Sequence, residues 1–126
     1  MNDNTQNNLY NKNIGNKGED IAVKFLEDKG YLIIERNFKF GKEGEIDIVA
    51  KDKNTLVFVE VKTRSNHNFG DPVLAISQKK RRLWSLAANG YMLKNNIHNQ
   101  ECRLDLIAID LISETPQITH IENAVF

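Results

Sequence analysis

Leu56-Val-Phe-Val-Glu-Val61 is a nearly continuous apolar run near the middle of the chain. A run of this kind indicates a strand that is covered on both faces, and such a strand lies at the centre of its sheet. The charged residues here are Glu60, near the end of the run, and Lys62, just after it. We therefore expect this segment to be the central strand around which the other elements are arranged.

Two strands are predicted before the central one. The segments Tyr31–Phe40 and Glu45–Ala50 are rich in β-branched and aromatic residues, which favour strands. Only short turns, at residues 41–44 and 52–54, separate the three segments. Short turns join antiparallel neighbours, so we expect an antiparallel meander.

Two helices and two further strands complete the predicted order, α-β-β-β-α-β-β. The first helix is expected at Lys17–Gly30. The second is expected to start at Asp71-Pro72, where an acceptor side chain precedes proline, and to end near residue 93. The last strands are expected at Arg103–Asp110 and Gln117–Phe126, the latter at an edge. The fold class is therefore α/β (α+β), a central mixed sheet flanked by helices.

Length and composition limit the class of protein. With 126 residues the chain makes one domain, which we expect at residues 17–126, after a disordered or frayed tail at 1–16 that holds seven asparagines. Seventeen Lys and Arg residues balance seventeen Asp and Glu residues, which excludes binding of nucleic acid by bulk charge alone. The single cysteine excludes an internal disulfide. Without a long apolar run or a signal peptide, we expect a soluble, cytoplasmic protein with no membrane partner.

Three charged side chains are expected to converge at the end of the central strand. Residues two apart share a face of a strand, so Glu60 and Lys62 point the same way. The hairpin between the second and third strands can place Asp47 beside Glu60. Two like charges about 4 Å apart repel by roughly 4 kcal/mol near a protein surface, so this pair needs a proton, a cation or a basic partner.

A divalent ion meets that need. Mg²⁺ and Mn²⁺ prefer oxygen ligands, and such an ion can turn bound water into a nucleophile. Lys62 would orient or help to deprotonate that water, or contact the scissile phosphate. Ordinary cross-strand pairs between half-exposed residues are the alternative interpretation. The spacing of the residues leaves both interpretations open.

The same residues resemble a nuclease signature. Asp47, followed thirteen residues later by Glu60-Val61-Lys62, resembles the PD-(D/E)xK motif, with Ile46 in place of the usual proline. Several segments more narrowly resemble the uncharacterised bacterial YraN-type proteins, which are similar to Holliday-junction resolvases. They are Gly15-Asn-Lys-Gly-Glu19, Gly44-Glu-Ile-Asp47, Phe58-Val-Glu-Val-Lys-Thr-Arg64, Lys79/Lys80 with Arg82, and Arg103-Leu-Asp105.

This resemblance implies a restriction-endonuclease-like αβββαβ core and metal-dependent hydrolysis of DNA, with branched or damaged DNA as the candidate substrates. It implies that Mg²⁺ or Mn²⁺ is held by Asp47, Glu60, Glu19 and the carbonyl of Val61, and that Lys62 is the catalytic lysine. Cleavage of two strands would suit a homodimer. The alternative is a non-catalytic nucleic-acid-binding or adaptor protein on the same fold.

The second helix carries a basic cluster. Residues 62–82 contain six basic side chains and one acidic one, which gives 6 − 1 = +5 on a neutral chain. Cations near a helix N-terminus oppose the helix dipole, so a purely structural role would favour acids there. We expect a surface that contacts DNA phosphates, formed by Arg64, Gln78, Lys79, Lys80, Arg81 and Arg82.

The remaining polar residues are given structural roles. The three histidines are expected at the surface and Cys102 in the core. Arg103 and Asp105 are expected to form an ion pair that supports the acidic site.

Overall fold

The computed structural model describes residues 3–64 and 76–124. Their elements, in chain order, are α1 (Asp3–Asp28), β1 (Leu32–Phe40), β2 (Gly44–Asp52), β3 (Thr55–Arg64), α2 (Gln78–Lys94), β4 (Cys102–Asp110) and β5 (Gln117–Ile121). The predicted order of elements is confirmed. Neither helix in the described ranges has the length and apolar character of a membrane span.

The strands form one sheet in the order β1-β2-β3-β4-β5. Neighbours are antiparallel except β3 and β4, which are parallel. Parallel neighbours need a crossover, and α2 lies between β3 and β4 in the chain. The predicted mixed sheet, with β3 at its centre and β5 at an edge, is confirmed. This architecture is consistent with a nuclease-like core.

A hydrophobic core lies on each face of the sheet. On the α1 side, Ala22 and Leu26 pack with Val57 and Val59 of β3. On the α2 side, Phe58 packs in a core with other fully or largely buried residues, among them Val49, Trp84, Ala87 and Tyr91. Since neighbouring β3 residues enter opposite cores, this strand is covered on both faces. That is the physical reason for its apolar sequence.

Three predicted boundaries are wrong. Helix α1 begins at Asp3 rather than Lys17, because residues 3–16 contain no proline and asparagine only mildly disfavours a helix. Helix α2 begins at Gln78, since extended Ser77 caps it by accepting a 3.0 Å hydrogen bond from the Lys80 N–H. Strand β5 ends at Ile121, before a turn with Asn123 at a φ of 56°. The Asp71-Pro72 pair lies outside the described residues, and the division into tail and domain stays a prediction.

Asp105 is the centre of a buried polar network. Its carboxylate is fully buried and accepts hydrogen bonds from Arg103, His120 Nε2 at 2.8 Å and the Asn123 N–H at 3.0 Å. Although burial raises the pKa of Asp105, these hydrogen bonds together lower it below its ordinary value. Arg103 also donates to the Tyr31 hydroxyl at 2.8 Å. The network therefore ties the segment after β5 to β4 and to the start of β1.

Three structural roles predicted from the sequence need correction. Arg103 and Asp105 do pair, but their other hydrogen bonds go to Tyr31, His120 and Asn123, and none of the described ones goes to Asp47, Glu60 or Lys62. The pair therefore supports the network rather than the acidic site. His120 is not at the surface, because its side chain is 4% exposed beside Asp105. Cys102 is exposed, since it is the first residue of β4 and lies outside both cores.

Helix α1 approaches β3 closely at Gly18, where a Cβ atom would overlap the Thr63 side chain. We expect Gly18→Ala to lower the free energy of unfolding by about 1–3 kcal/mol, despite the better helix propensity of alanine. Urea denaturation measures this change, and adding Thr63→Ala should recover part of it. The exposed Glu27→Ala in the same helix is the control, expected within about 0.5 kcal/mol of wild type. Equal stabilities of wild type and Gly18→Ala would contradict the close contact.

Candidate functional site

Strands β2 and β3 separate where Asp47 and Glu60 meet. Their ladder runs from Ile48, paired with Val59, to the turn that joins the two strands. Beyond Ile48, the side chain of Asp47 bridges the gap, and its Oδ2 accepts a hydrogen bond from the Val61 N–H at 2.8 Å. The adjacent Glu60 is 4% exposed. The fold thus brings the two carboxyl groups together at a fork between the strands, which we call the acidic fork.

Lysines balance part of the charge of Glu60. Lys80 extends from the first turn of α2 and places its Nζ 3.3 Å from Glu60 Oε1. The charge of Lys62, two residues along β3, also acts favourably on Glu60. The other oxygen, Glu60 Oε2, is buried and has no hydrogen-bond partner among the described residues. A buried carboxylate oxygen without a partner is costly, so this atom is available to a cation.

Both carboxyl groups hold protons more tightly than usual. Burial, followed by the Asp47 carboxylate, raises the pKa of Glu60 to about 8, although Lys80 and Lys62 oppose the rise. Burial also raises the pKa of Asp47, against the Val61 N–H that stabilises its charge. Desolvation and a like charge are the conditions under which a carboxylate gains from a metal ion.

A third carboxyl group approaches from α1. Glu19 has a side chain that is 15% exposed, and burial and then the Asp47 charge raise its pKa. Arg36 Nη2 lies 3.7 Å from Glu19 Oε1 and makes a closer pair, at 2.8 Å, with Asp20. The side chain of Asn37 opposes part of this rise in the pKa of Glu19. Glu19 therefore lies near Asp47, held by β1 as well as by its own helix.

The acidic fork is not a ready-made metal cage. Among the side chains that the structure describes, no three of His, Cys, Asp or Glu are arranged closely enough to hold an ion. Val61 contacts Asp47 through its N–H, and the ligand role of its carbonyl stays a prediction. The same is true of the metal-binding roles of Asp47, Glu60 and Glu19, and of the catalytic role of Lys62.

The predicted basic surface is divided by acidic partners. The first turn of α2 contains no acid, and Gln78, Lys79 and Arg82 are exposed there. Lys79 lies 3.5 Å from Glu43, and Arg64 Nη2 lies 3.2 Å from Asp110. Lys80 turns inward to Glu60, whereas Arg81 is half-buried. The six residues therefore do not form one continuous patch of unpaired cations.

Sequence reasoning missed two residues beside the acidic fork, Arg36 and Asn37. A signal for Asn37 was available, because asparagine is disfavoured within strands and tolerates a left-handed backbone. No comparable signal marked Arg36, whose contacts with Glu19 and Asp20 join separate elements.

Glu60 links folding stability to pH. Its folded pKa of about 8 lies above the ordinary 4.5, so the folded state keeps a proton that the unfolded chain releases. The stabilisation from this group is complete below pH 4.5 and is lost as pH rises towards 8. We expect Glu60→Gln, which cannot ionise, to remove most of this loss and to exceed wild type in stability by a few kcal/mol above pH 8.

Urea denaturation in chelator-treated buffer between about pH 5 and 9 measures this dependence. Glu114→Gln, at an exposed position, is the control and should follow wild type. Parallel stability curves for wild type and Glu60→Gln would contradict the raised pKa.

Comparison with known proteins places the chain in a family. Residues 18–109 match the model of "Uncharacterised protein family UPF0102". A UPF0102 protein of Geobacter metallireducens is 47% identical over 92% of this chain and 94% of its own length. A UPF0102 protein of Clostridioides difficile is 45% identical over 92% of this chain and 99% of its own length. These matches confirm the predicted YraN-type resemblance, and the chain belongs to the UPF0102 family.

Proposed function

We propose that this protein is a metal-dependent nuclease that hydrolyses DNA phosphodiester bonds at the acidic fork. One observation carries the proposal. The carboxyl groups of Asp47 and Glu60 lie together in a largely buried place, and Glu60 Oε2 has no hydrogen-bond partner among the described residues. A buried acidic pair whose charge is only partly compensated is costly in a structural role and useful in binding a cation.

The donor set fits Mg²⁺ or Mn²⁺, because both ions prefer carboxylate oxygens. Asp47, Glu60 and Glu19 would hold the ion, with the Val61 carbonyl as a further donor. When bound, such an ion polarises a phosphate group and lowers the pKa of a water molecule. The raised pKa values of all three acids support this assignment, since a cation replaces the protons that burial otherwise retains.

The chain's own lysines supply the remaining functions. Lys62 acts on Glu60 through its charge and follows it by two residues on β3, so it is the residue we propose to orient the attacking water or to contact the scissile phosphate. Lys80 neutralises part of the Glu60 charge before an ion binds. Lys80 then becomes available to a DNA phosphate, beside the exposed Gln78, Lys79 and Arg82.

We propose structured DNA, branched or damaged, as the substrate, with Arg64 and Arg81 at the margin of the contact surface. A homodimer would allow two strands to be cut together. Neutral net charge requires that such contacts be local, and the basic first turn of α2 beside the acidic fork meets that condition.

Purified protein is expected to cleave branched DNA in the presence of Mn²⁺. Asp47→Asn should lower the rate by about a thousandfold or more, and Lys62→Met by about a hundredfold, because each removes a group that acts on the reacting phosphate or water. Gel analysis of labelled junctions and of linear duplexes measures the rate. Asp28→Asn and Lys42→Met, both at exposed positions, are matched controls that should retain full activity. Equal cleavage by Asp47→Asn and wild type would exclude this site.

A non-catalytic nucleic-acid-binding or adaptor protein is the second candidate. The ion pair between Lys80 and Glu60 favours it, because this lysine already compensates one of the acids. Calorimetric titration with Mn²⁺ separates the two candidates. A nuclease should bind the ion in a manner that Asp47→Asn abolishes, whereas an adaptor should give no such heat.

Removal of Lys80 is expected to tighten the binding of Mn²⁺. Lys80→Met keeps the aliphatic stem and removes a charge 3.3 Å from Glu60 Oε1, so the ion no longer competes with an ammonium group. We expect about a tenfold lower dissociation constant by calorimetry. Lys79→Met is the matched control, since Lys79 pairs with Glu43 instead. Weaker binding in Lys80→Met than in Lys79→Met would show that Lys80 supports the ion and does not compete with it.

A further inference from the structure

In the β1–β2 hairpin, the side chains of both strands change the face of the sheet on which they lie, and they do so at one cross-strand position. The register of the two strands places Asn37 of β1 opposite Asp47 of β2. On either side of Asp47, Ile48 packs in the core on the α1 side and Ile46 packs in the core on the α2 side. Residues two apart in a regular strand share a face. Strand β2 is therefore rotated at Asp47.

Strand β1 rotates at the same place. Arg36 hydrogen-bonds Asp20 of α1 at 2.8 Å. Phe38, two residues further on, makes an edge-to-face contact with Tyr91 of α2, with ring centroids 5.2 Å apart. Between them, Asn37 has a φ of 55°. Both strands thus change faces at one point, and the residue there in β1 has a left-handed backbone.

The left-handed backbone of Asn37 accounts for the rotation. A non-glycine residue adopts this conformation at a cost, which asparagine bears better than most residues. One consequence appears in β2, which leaves β3 beyond Ile48. The gap that opens is the place where the Asp47 carboxylate reaches the Val61 N–H. A straight hairpin would continue the ladder and would point Asp47 elsewhere.

The side chain of Asn37 makes a second contribution. It lies beside Glu19, whose Oε1 is 3.7 Å from Nη2 of the neighbouring Arg36, and its polar interaction with Glu19 opposes the rise in the pKa of Glu19 that burial causes. Asn37 is exposed, so it is not held there by packing in a core. The backbone of Asn37 therefore affects the position of Asp47, and its side chain affects Glu19. These two effects come from separate atoms and can be separated by substitution.

We propose that Asn37 is a positioning residue of the acidic fork. Its left-handed backbone delivers the Asp47 carboxylate to the Val61 N–H, and its side-chain amide holds the Glu19 carboxylate beside Asp47. The part that concerns Asp47 is independent of the reaction. The part that concerns metal affinity rests on the proposed function, because it requires that Glu19 and Asp47 bind an ion.

The test compares Asn37→Gly with Asn37→Ala in the full chain. Glycine permits the left-handed backbone and removes the side chain, whereas alanine removes the side chain and disfavours the backbone. Asn37→Asp is a third variant, since aspartate tolerates the conformation but has no N–H to donate. Hydrogen exchange of the Val61 amide, relative to that of Val57 within the β2–β3 ladder, reports on Asp47. Calorimetry with Mn²⁺ reports on the ion site.

In Asn37→Ala we expect the Val61 amide to exchange about tenfold faster relative to Val57, because its acceptor is displaced. In Asn37→Gly and Asn37→Asp the relative exchange should match wild type, while affinity for Mn²⁺ falls about tenfold in Asn37→Gly. A purely structural role would change both amides equally and would leave the glycine variant with full Mn²⁺ affinity.

Unchanged relative exchange in Asn37→Ala would overturn the backbone role. Should that variant not fold, faster relative exchange of Val61 in Asn37→Gly would overturn it instead. Full Mn²⁺ affinity in Asn37→Gly would overturn the side-chain role. Absence of Mn²⁺ binding in every protein, wild type included, would overturn the proposed metal site and the side-chain role together, and the exchange data would still decide the backbone role.

Discussion

The hydrogen bond from the Val61 N–H to Asp47 is the interaction on which the site depends. It replaces a rung of the β2–β3 ladder by a side chain, so the two strands can separate without leaving a buried N–H unpaired. This replacement places the Asp47 carboxylate in the gap, next to Glu60 on the central strand. Burial there raises the pKa of both acids. The same hydrogen bond therefore gives the Val61 N–H its acceptor and holds the Asp47 carboxylate in a place where burial disfavours its charge.

The two helices act on this gap from opposite sides of the sheet. Helix α1 brings an acid, Glu19, and can lie close to β3 because Gly18 has no side chain. Helix α2 brings a base, Lys80, from a first turn without acidic residues. The sheet provides the acidic pair, α1 adds the negative charge of Glu19, and α2 adds the positive charge of Lys80. A neutral chain can in this way concentrate charge at one place without bulk attraction for nucleic acid.

Elements and strand order were predictable because they follow from local pattern. The apolar run of β3 indicated its central position, and short turns indicated the meander. The helix starts were not predictable in the same way, since Ser77 competes with Asp71-Pro72 as a cap and only tertiary context decides. The placement of His120 beside Asp105 depends on contacts between distant segments. The left-handed Asn37 had a local signal, but its effect on Asp47 exists only in the paired strands.

The parallel pairing of β3 with β4 has a consequence for synthesis of the chain. Asp47 and Glu60 of the acidic fork precede α2, and Lys80 lies in its first turn, yet β3 gains its second neighbour only when β4 follows. A nascent chain that ends within α2 therefore has an apolar strand with one open edge, which favours association with other chains. Emergence of residues 102–110 closes that edge. The carboxyl pair thus precedes, along the chain, the strand that completes the sheet around it, and β4 protects the edge of β3.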